Sequence, residues 1–349
     1  MKNTMKIGVK GFFLGCLLSV SFFSRAQNES DLSSFLKASS HDANVLIGGY
    51  TGPIIRGASY AMTGGWYTTA KTHKKLGVDL GVSLTAAFTP SSDNYFSPQS
   101  QLVSTTFANT TNPGAGAPSI VGPKDQTTYT STYQGQSVTF NGPEGLALKK
   151  NIGFSAVPVP MIQIGIGLIK NTDLKVRFIP TINRANSKIN MLGFGLLHDI
   201  KQYLPGGSLL PFDLSVLAAY NSVWGSTSLA NTTDSNKPMS SNGQISYRLN
   251  SWVAQAIISK KISVLTAYVG VGYGAVSSKV DITGTFNFDS NPPFPQNFSI
   301  TNPFSTTFKN NTTKLTGGIR LKFGPIYLVG DYTLQKYNAL TVGLGLSIR

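Results

Sequence analysis

Three histidines, His41, His73 and His198, are the side chains of this 349-residue chain best suited to moving protons or holding a metal near neutral pH. They sit in separate segments, and none has a second metal-ligating residue three or four positions away. His198 is followed by Asp199, which invites comparison with barrel lipases, where a serine nucleophile and a base must meet within hydrogen-bond reach. Here His198 ends a run of alternating residues beside a turn, where its ring is expected to hydrogen-bond to turn backbone. The chain has one cysteine, Cys16, and lacks a GxSxG, a phosphate-cradling glycine loop and an HExxH. No enzymatic activity, cofactor or metal is expected.

Period two dominates the rest. Leu340, Val342, Leu344, Leu346 and Ile348 alternate with Thr341, Gly343, Gly345, Ser347 and Arg349, so a strand here has one oily wall and one small or polar wall. Ile326, Leu328, Gly330, Tyr332 and Leu334 alternate likewise upstream and form a hairpin with it. Residues 76–89 carry the cleanest stripe, from Leu76 to Phe88, with Asp79 on the polar side. Residues 157–169 pair with 174–183, 190–198 with 212–220, and 245–258 with 262–277; 313–323 leads into the terminal hairpin. Strands of about ten residues suit a closed membrane barrel, which needs ~9–11 to cross. With residues 59–69 read as a further strand, the total is eleven. Barrels of this type have an even number, so the expectation is an all-β, transmembrane, antiparallel up-and-down barrel of about twelve strands, with ten to fourteen as the range. A descending last strand makes residues 59–69 descend too. Either an ascending strand lies between Gly48 and Ser59, or the N-terminal segment threads the lumen.

Lys2, Lys6 and Lys10 precede an apolar run from Gly11 to Phe23, and Ser24 and Ala26 are small where a signal peptidase reads. The run is too short for a spanning helix, so residues 1–26 read as an export signal; Gly15 and Cys16 also suggest a lipoprotein box, but only two apolar residues precede it. Cleavage after Ala26 removes four of the 29 basic residues, none of the 14 acidic ones and the only cysteine, lowering the formal charge from +15 to +11. A cysteine-free exported chain needs no disulfide. Charged residues are 12% of the whole, about half the ~25% of soluble domains. The basic residues are scattered, with no tract or stacking platform for nucleic acid.

Leu32, Phe35 and Leu36, then Leu46 and Ile47, fall at helical spacing, with Gly48 and Gly49 as a stop. Residues 27–52 are thus expected to be a short helical plug, or a cover on the periplasmic opening, and 53–349 the barrel. On the polar walls lie Lys175, Arg177, Arg248, Lys314, Arg320 and Lys322, against Asp79, Asp213 and Asp331. They could line a lumen that attracts anions. Alternatively, they pair and fill a barrel too narrow to conduct. Phe286, Phe288, Phe294, Phe298, Phe304 and Phe308 lie in a long loop, as an apolar mouth or a self-packed loop core. Trp66, Tyr67, Tyr220, Trp224 and Tyr337 read as interfacial girdles.

GWYTTAKTHKKLGVDLGVSL (residues 65–84) and GFGLLHDIKQYLPG (residues 193–206) resemble paired signatures of an uncharacterised family of Gram-negative outer-membrane barrels, and more distantly the long-chain fatty-acid transporter superfamily. The resemblance implies an outer-membrane location, lipid as the surrounding partner and insertion by the barrel-assembly machinery. It supplies no catalytic residue. Function is expected to be a passive or gated channel for small, apolar or anionic cargo; the alternatives are a non-conducting scaffold and, on His198 alone, a lipid-modifying enzyme.

Overall fold

Alternation of oily and small residues becomes ten antiparallel strands that close on themselves. The computed structural model describes residues 34–133, 135–184, 186–229, 239–288 and 298–348. The export signal at 1–26, Leu32 and Phe294 lie outside the described residues. The barrel strands are β1 (Val78–Phe88), β2 (Ala156–Gly167), β3 (Thr172–Arg184), β4 (Ser187–Asp199), β5 (Asp213–Ser228), β6 (Met239–Ile262), β7 (Leu265–Phe288), β8 (Phe304–Phe323), β9 (Ile326–Leu334) and β10 (Ala339–Ile348). Each pairs with its sequence neighbour, and β1 closes the ring on β10 in a register running from Val78↔Ile348 to Ala87↔Ala339. A short strand, Phe298–Thr301, lies outside the ring and continues the β8 edge along β7.

The oily wall faces out. Leu340, Val342, Leu344, Leu346 and Ile348 are all exposed, as are Leu80, Leu328, Leu334, Ile319 and Leu315 on neighbouring strands. Their alternates Thr341, Ser347, Asp79, Thr316 and Arg320 are buried inside. A closed sheet with leucines outside and polar groups inside is the inverse of a soluble core, and it suits lipid.

One end has connections at 168–171, 200–212, 263–264 and 324–325; the other has 185–186, 229–238 and 335–338 and carries the two longest, 89–155 and 289–303. At the long-loop end β6 and β7 are 24 residues each, more than twice the ~9–11 a crossing needs, and project past the oily band. Residues 221–228, 239–243, 278–288 and 304–311, beyond the alternating runs read from the sequence, are strand. In these stretches of β7 and β8 the outward positions are Ser, Thr, Asn and charged residues, so no oily stripe faces out, while Ile282 and Phe286 face in. In the long loop, Thr127–Tyr133 and Gln136–Asn141 form a separate three-stranded sheet with Thr105–Asn109.

Ten strands is the lower end of the expected ten to fourteen, two fewer than its centre of twelve. Residues 59–69 are not a strand, and no strand lies between Gly48 and Ser59. Instead a 23-residue helix, α1 (Ser40–Met62), follows a turn of 3-10 helix at Ser34–Lys37. It runs through Gly48, Gly49 and Pro53, where a stop was expected. The reason is tertiary: a Cβ on Gly49 would overlap the Phe96 ring, and one on Gly57 would overlap Val157. These glycines let the helix sit against its surroundings, and that packing outweighs a cost of roughly 1 kcal/mol per helical glycine. After Met62 the chain runs without regular structure from Thr63 to Gly77 and enters β1 at the short-turn end. The plug accordingly extends to Gly77, and the barrel begins at Val78 instead of residue 53.

Candidate functional site

The N-terminal segment enters at the long-loop end. Phe35, Leu36, Ala43, Leu46, Ile47 and Tyr50 form one apolar cluster with Ile120, Val121, Tyr129 and Phe140 of the long loop and with Ile282, Phe286 and Phe304 of β7 and β8. Phe286 and Phe304 are thus covered by the helix and its loop, which is the self-packed reading of the mouth. Phe288 and Phe298 face each other in the backbone ladder. Ser39 caps α1 by accepting from the Asp42 amide, and Asp42 accepts from the Val103 and Ser104 amides and the Ser104 hydroxyl, all at 2.9 Å. Lower on the helix, Arg56 reaches Asp93 at 2.9 Å and the Tyr337 hydroxyl at 3.0 Å.

Burial pushes the Asp42 carboxyl up, but the bonds from Val103 and Ser104 outweigh this and hold it below its ordinary 3.8. A depressed carboxylate stabilises the fold above its unfolded pKa and loses that contribution as pH falls through the folded value. Pepsin cleavage within residues 89–155 is therefore expected to accelerate as pH drops below the ordinary carboxylate range. Asp42→Asn should show fast cleavage without that acid step, at a cost of about 1–3 kcal/mol. An acid step unchanged in the variant would assign it to another group.

Inside the barrel the segment meets the wall in layers. Met62 packs with Met161, Met191, Val223, Leu249 and Val276. Trp66, Tyr67 and Ala70 pack with Leu197, Leu217, Val253, Ile257, Tyr268 and Tyr327. Trp66 is 0% exposed, so it and Tyr67 belong to the lumen and not to a girdle; Tyr337 is buried inside too. Tyr220 and Trp224 do lie on the outer wall, joined by Trp252, whose ring is 4.6 Å from Tyr220.

A helix ending in a lumen leaves its last carbonyls without helical partners and its negative pole facing the wall. Lys314 answers this with Nζ at 2.6 Å from the Thr63 carbonyl and 2.9 Å from its hydroxyl. Arg177 donates to the Gly64 carbonyl at 2.8 Å, to the Met62 carbonyl at 3.4 Å and to Gln163 Oε1 at 2.9 Å, while its guanidinium lies 3.8 Å from the Trp66 ring centre. Asn221 also donates to Met62 O, at 3.1 Å. Below, Gln255 donates to the Tyr67 hydroxyl, Ser259 Oγ accepts from the Ala70 amide and sits 3.1 Å from Thr69 Oγ1, and Ser215 donates to the Ala70 carbonyl.

At the short-turn end His73 is held by Asp173 at two points, its amide at 2.8 Å from Oδ1 and its Nδ1 at 2.8 Å from Oδ2. His73 Nε2 lies 3.2 Å from Ser347 Oγ. The order is that of a Ser-His-Asp triad, but all three are buried and Ser347 is 1% exposed, leaving no approach to the hydroxyl. Beside it, Asp79 accepts from Tyr327 at 3.0 Å and lies 3.5 Å from Arg320, which stacks on Tyr327. Tyr268 donates to Asp331 at 3.0 Å. Lys175, Arg177, Lys314 and Arg320 are thus buried in the lumen with Asp79, Asp173 and Asp331, four cations against three carboxylates. Arg320 faces Asp79, while Arg177 and Lys314 donate to carbonyls of the segment, so these cations are buried rather than presented as an open ring.

Two expectations fail. Arg248 is exposed on the outward face, on the parity of Trp252 and Ile258, because β6 alternates through Leu249 and Ser251 inward. Lys322 and Asp213 keep the inward parity expected of them, both half-buried at the short-turn end, with Lys322 Nζ 2.8 Å from the Ser347 carbonyl. His198 bonds to side chains instead of turn backbone, with Nδ1 2.8 Å from Thr172 Oγ1 and Nε2 3.1 Å from the Tyr203 hydroxyl. The Asp173–His73–Ser347 link was unreadable beforehand, its members being 100 and 274 residues apart.

Two cavities border the segment. One, about 20 Å³, is lined by Gly65, Tyr67, Gln163, Tyr327 and Asp331 and has room for roughly one water. The other is an open cleft of about 360 Å³ at the mouth, between Asn44, Val45, Gly48 and Gly49 of α1 and Phe96, Pro98 and Gln101 of the loop. No group of His, Cys, Asp and Glu suited to a metal occurs among the described residues.

Wall glycines make room for the segment. A Cβ on Gly195 would stand 2.9 Å from the Trp66 indole. Gly195→Val is expected to destabilise the folded barrel by about 1–3 kcal/mol through overpacking, read as an earlier thermal transition in detergent. An unchanged transition would mean that Trp66 is seated elsewhere.

Solved structures similar to the chain are membrane barrels. The translocator domain of the autotransporter NalP from Neisseria meningitidis is 9% identical, covering 80% of this chain and 90% of that one, with a TM-score of 0.30. The transport unit of the autotransporter AIDA-I from Escherichia coli is 8% identical, covering 84% and 98%, at 0.33. The outer membrane channel DcaP of Acinetobacter baumannii is 10% identical, covering 81% and 99%, at 0.18. At such values none of their activities passes to this chain. No curated protein matches it in sequence. The model of a family of unknown function, DUF6588, matches residues 1–348, and the chain belongs to that family.

Proposed function

We propose that the protein is an outer-membrane channel for small molecules, closed by its own N-terminal segment and opened by movement of that segment. The observation that carries this reading is what fills the lumen. Small barrels ordinarily fill their interior with wall side chains. Here inward positions are repeatedly small, among them Gly81, Gly165, Gly195, Gly270, Gly343, Ser215, Ser259 and Ser347. The space they leave is occupied by a separable stretch, residues 63–77, which meets the wall through hydrogen bonds that water can replace and through the packing of Trp66, Tyr67 and Ala70. The two longest connections at one end support an outward position for it and a periplasmic one for the 263–264 and 324–325 end. The mouth cleft has no charged side chain in its lining, which favours neutral, partly apolar cargo over anions. With Ser347 sealed, Asp173 and His73 serve as a latch on the segment, and we assign no enzymatic activity.

Bilayer recordings test this with one cysteine pair, Thr69→Cys and Ser259→Cys, whose parent oxygens are 3.1 Å apart. The native protein is expected to rest closed and to open in brief events as voltage rises. The oxidised pair should abolish these events, and a reductant should restore them. A native protein silent at every voltage would favour the scaffold reading, and openings indifferent to the disulfide would put the path outside the lumen.

A further inference from the structure

The misplaced cation Arg248 is one corner of a charged patch on the outward wall. It faces Lys279 directly across the β6–β7 ladder, and Lys309 on β8 stands opposite Ser277, diagonal to Lys279. All three are exposed. Side chains directly opposite are ~5 Å apart at Cβ and diagonal ones ~7–8 Å, and like charges so placed repel. One carboxylate answers them among the described residues: Asp281, 2.9 Å from Lys279 and already accepting from Ser305. Arg248 and Lys309 have no acidic partner there.

Position says what the missing anion is. Going up β7, the outward residues Val269, Val271 and Tyr273 are exposed and oily, followed by Ser277 and then Lys279. On β6 the order is Ile258, Trp252, Asn250, Arg248. The three cations thus stand on the lipid-facing side, just above the aromatic residues that mark the top of the oily band. A solute in the lumen cannot reach them. We propose that Arg248, Lys279 and Lys309 form a binding site for the phosphate groups of a glycolipid in the outer leaflet. Arg248 supplies a planar fork for two phosphate oxygens, and the two lysines act as point charges on the rest.

This inference rests on the outward orientation of the long-loop end proposed above, but not on conduction. Its test uses the purified full barrel in neutral detergent, where neither orientation nor gating matters. Native mass spectrometry would count retained lipid A carrying its phosphates, the same glycolipid dephosphorylated, and phosphatidylcholine. The native protein should retain the phosphorylated form selectively. With each basic residue worth a severalfold factor near an anionic surface, the triple variant Arg248→Ser, Lys279→Ser, Lys309→Ser should bind about a hundredfold more weakly. Should the triple variant fold poorly, Arg248→Gln alone should bind about fivefold more weakly. Lys260→Ser with Lys261→Ser, at the other end, should change nothing. Equal retention of the phosphorylated and dephosphorylated forms, or undiminished retention by the variants, overturns the site. Millimolar inorganic phosphate that competes away lipid A completely would do so too, by making it a site for soluble anions.

Discussion

Replacing Arg177 with leucine is expected to release the segment from the lumen. The guanidinium is fully buried and binds Met62 O, Gly64 O and Gln163 Oε1 while lying against Trp66. Leucine fills part of its volume but leaves two backbone carbonyls and an amide oxygen without donors, each costing about 1–3 kcal/mol in a buried site. The combined loss of about 3–5 kcal/mol falls on the contact between segment and wall, since the bonds of β3 to its neighbours are backbone bonds and remain. The barrel should therefore still form and resist protease, while the segment around Gly64 becomes cleavable and the resting conductance rises. Arg177→Lys should recover only part of the effect, because an ammonium cannot span Gly64 and Gln163 together. A variant that stays sealed, with residues 63–77 protected, would show that Arg177 does not hold the closed state.

The second large effect is expected on the opposite wall. Leu344 sits midway along β10, paired with Val82 on β1 and Leu328 on β9, and points outward. Arginine at the midplane of the lipid-facing wall costs about 2–4 kcal/mol, falling to 0–1 near the interfaces. Leu344→Arg should therefore lower folding into bilayers by that amount, and Ile348→Arg, at the short-turn end, by much less. Both can be measured by urea titration in vesicles. Equal costs at the two positions would deny that lipid covers this wall.

How legible this was in the sequence differs by element. Strands β1, β9 and β10 were readable to within a residue or two, because an oily face against lipid and a small face against the segment keep a clean period of two. The segment was legible only at its start, where Leu46 and Ile47 show helical spacing. Tyr60, Met62 and Trp66 look like one face of a strand, because from Ser59 to Met62 every position of the helix is buried and no amphipathic period remains. The available signal was indirect: an odd strand number with a descending first strand leaves a threaded N-terminus as one of two solutions. Trp66 and Trp224 are the same residue type, one on the segment inside the lumen and one outward on β5, and residue type alone does not separate them. Arg248 was misassigned by strand parity, because β6 continues beyond the stripe that fixes its phase. The lumenal latch joins residues of four segments, His73, Asp79, Asp173 and Ser347, and distance along the chain hides it.

The central claim, lipid outside and polypeptide inside a closed wall, is tested most directly by nitroxide accessibility along β10. Labels at Leu340, Val342, Leu344 and Leu346 should collide with dissolved oxygen, most strongly mid-bilayer, and hardly with a water-soluble nickel chelate. Labels at Thr341 and Ser347 should meet neither reagent while the segment is seated. Nickel reaching Thr341 in the resting protein would mean a water-filled lumen, and leucine positions shielded from oxygen would mean a wall that does not face lipid; either result contradicts the account.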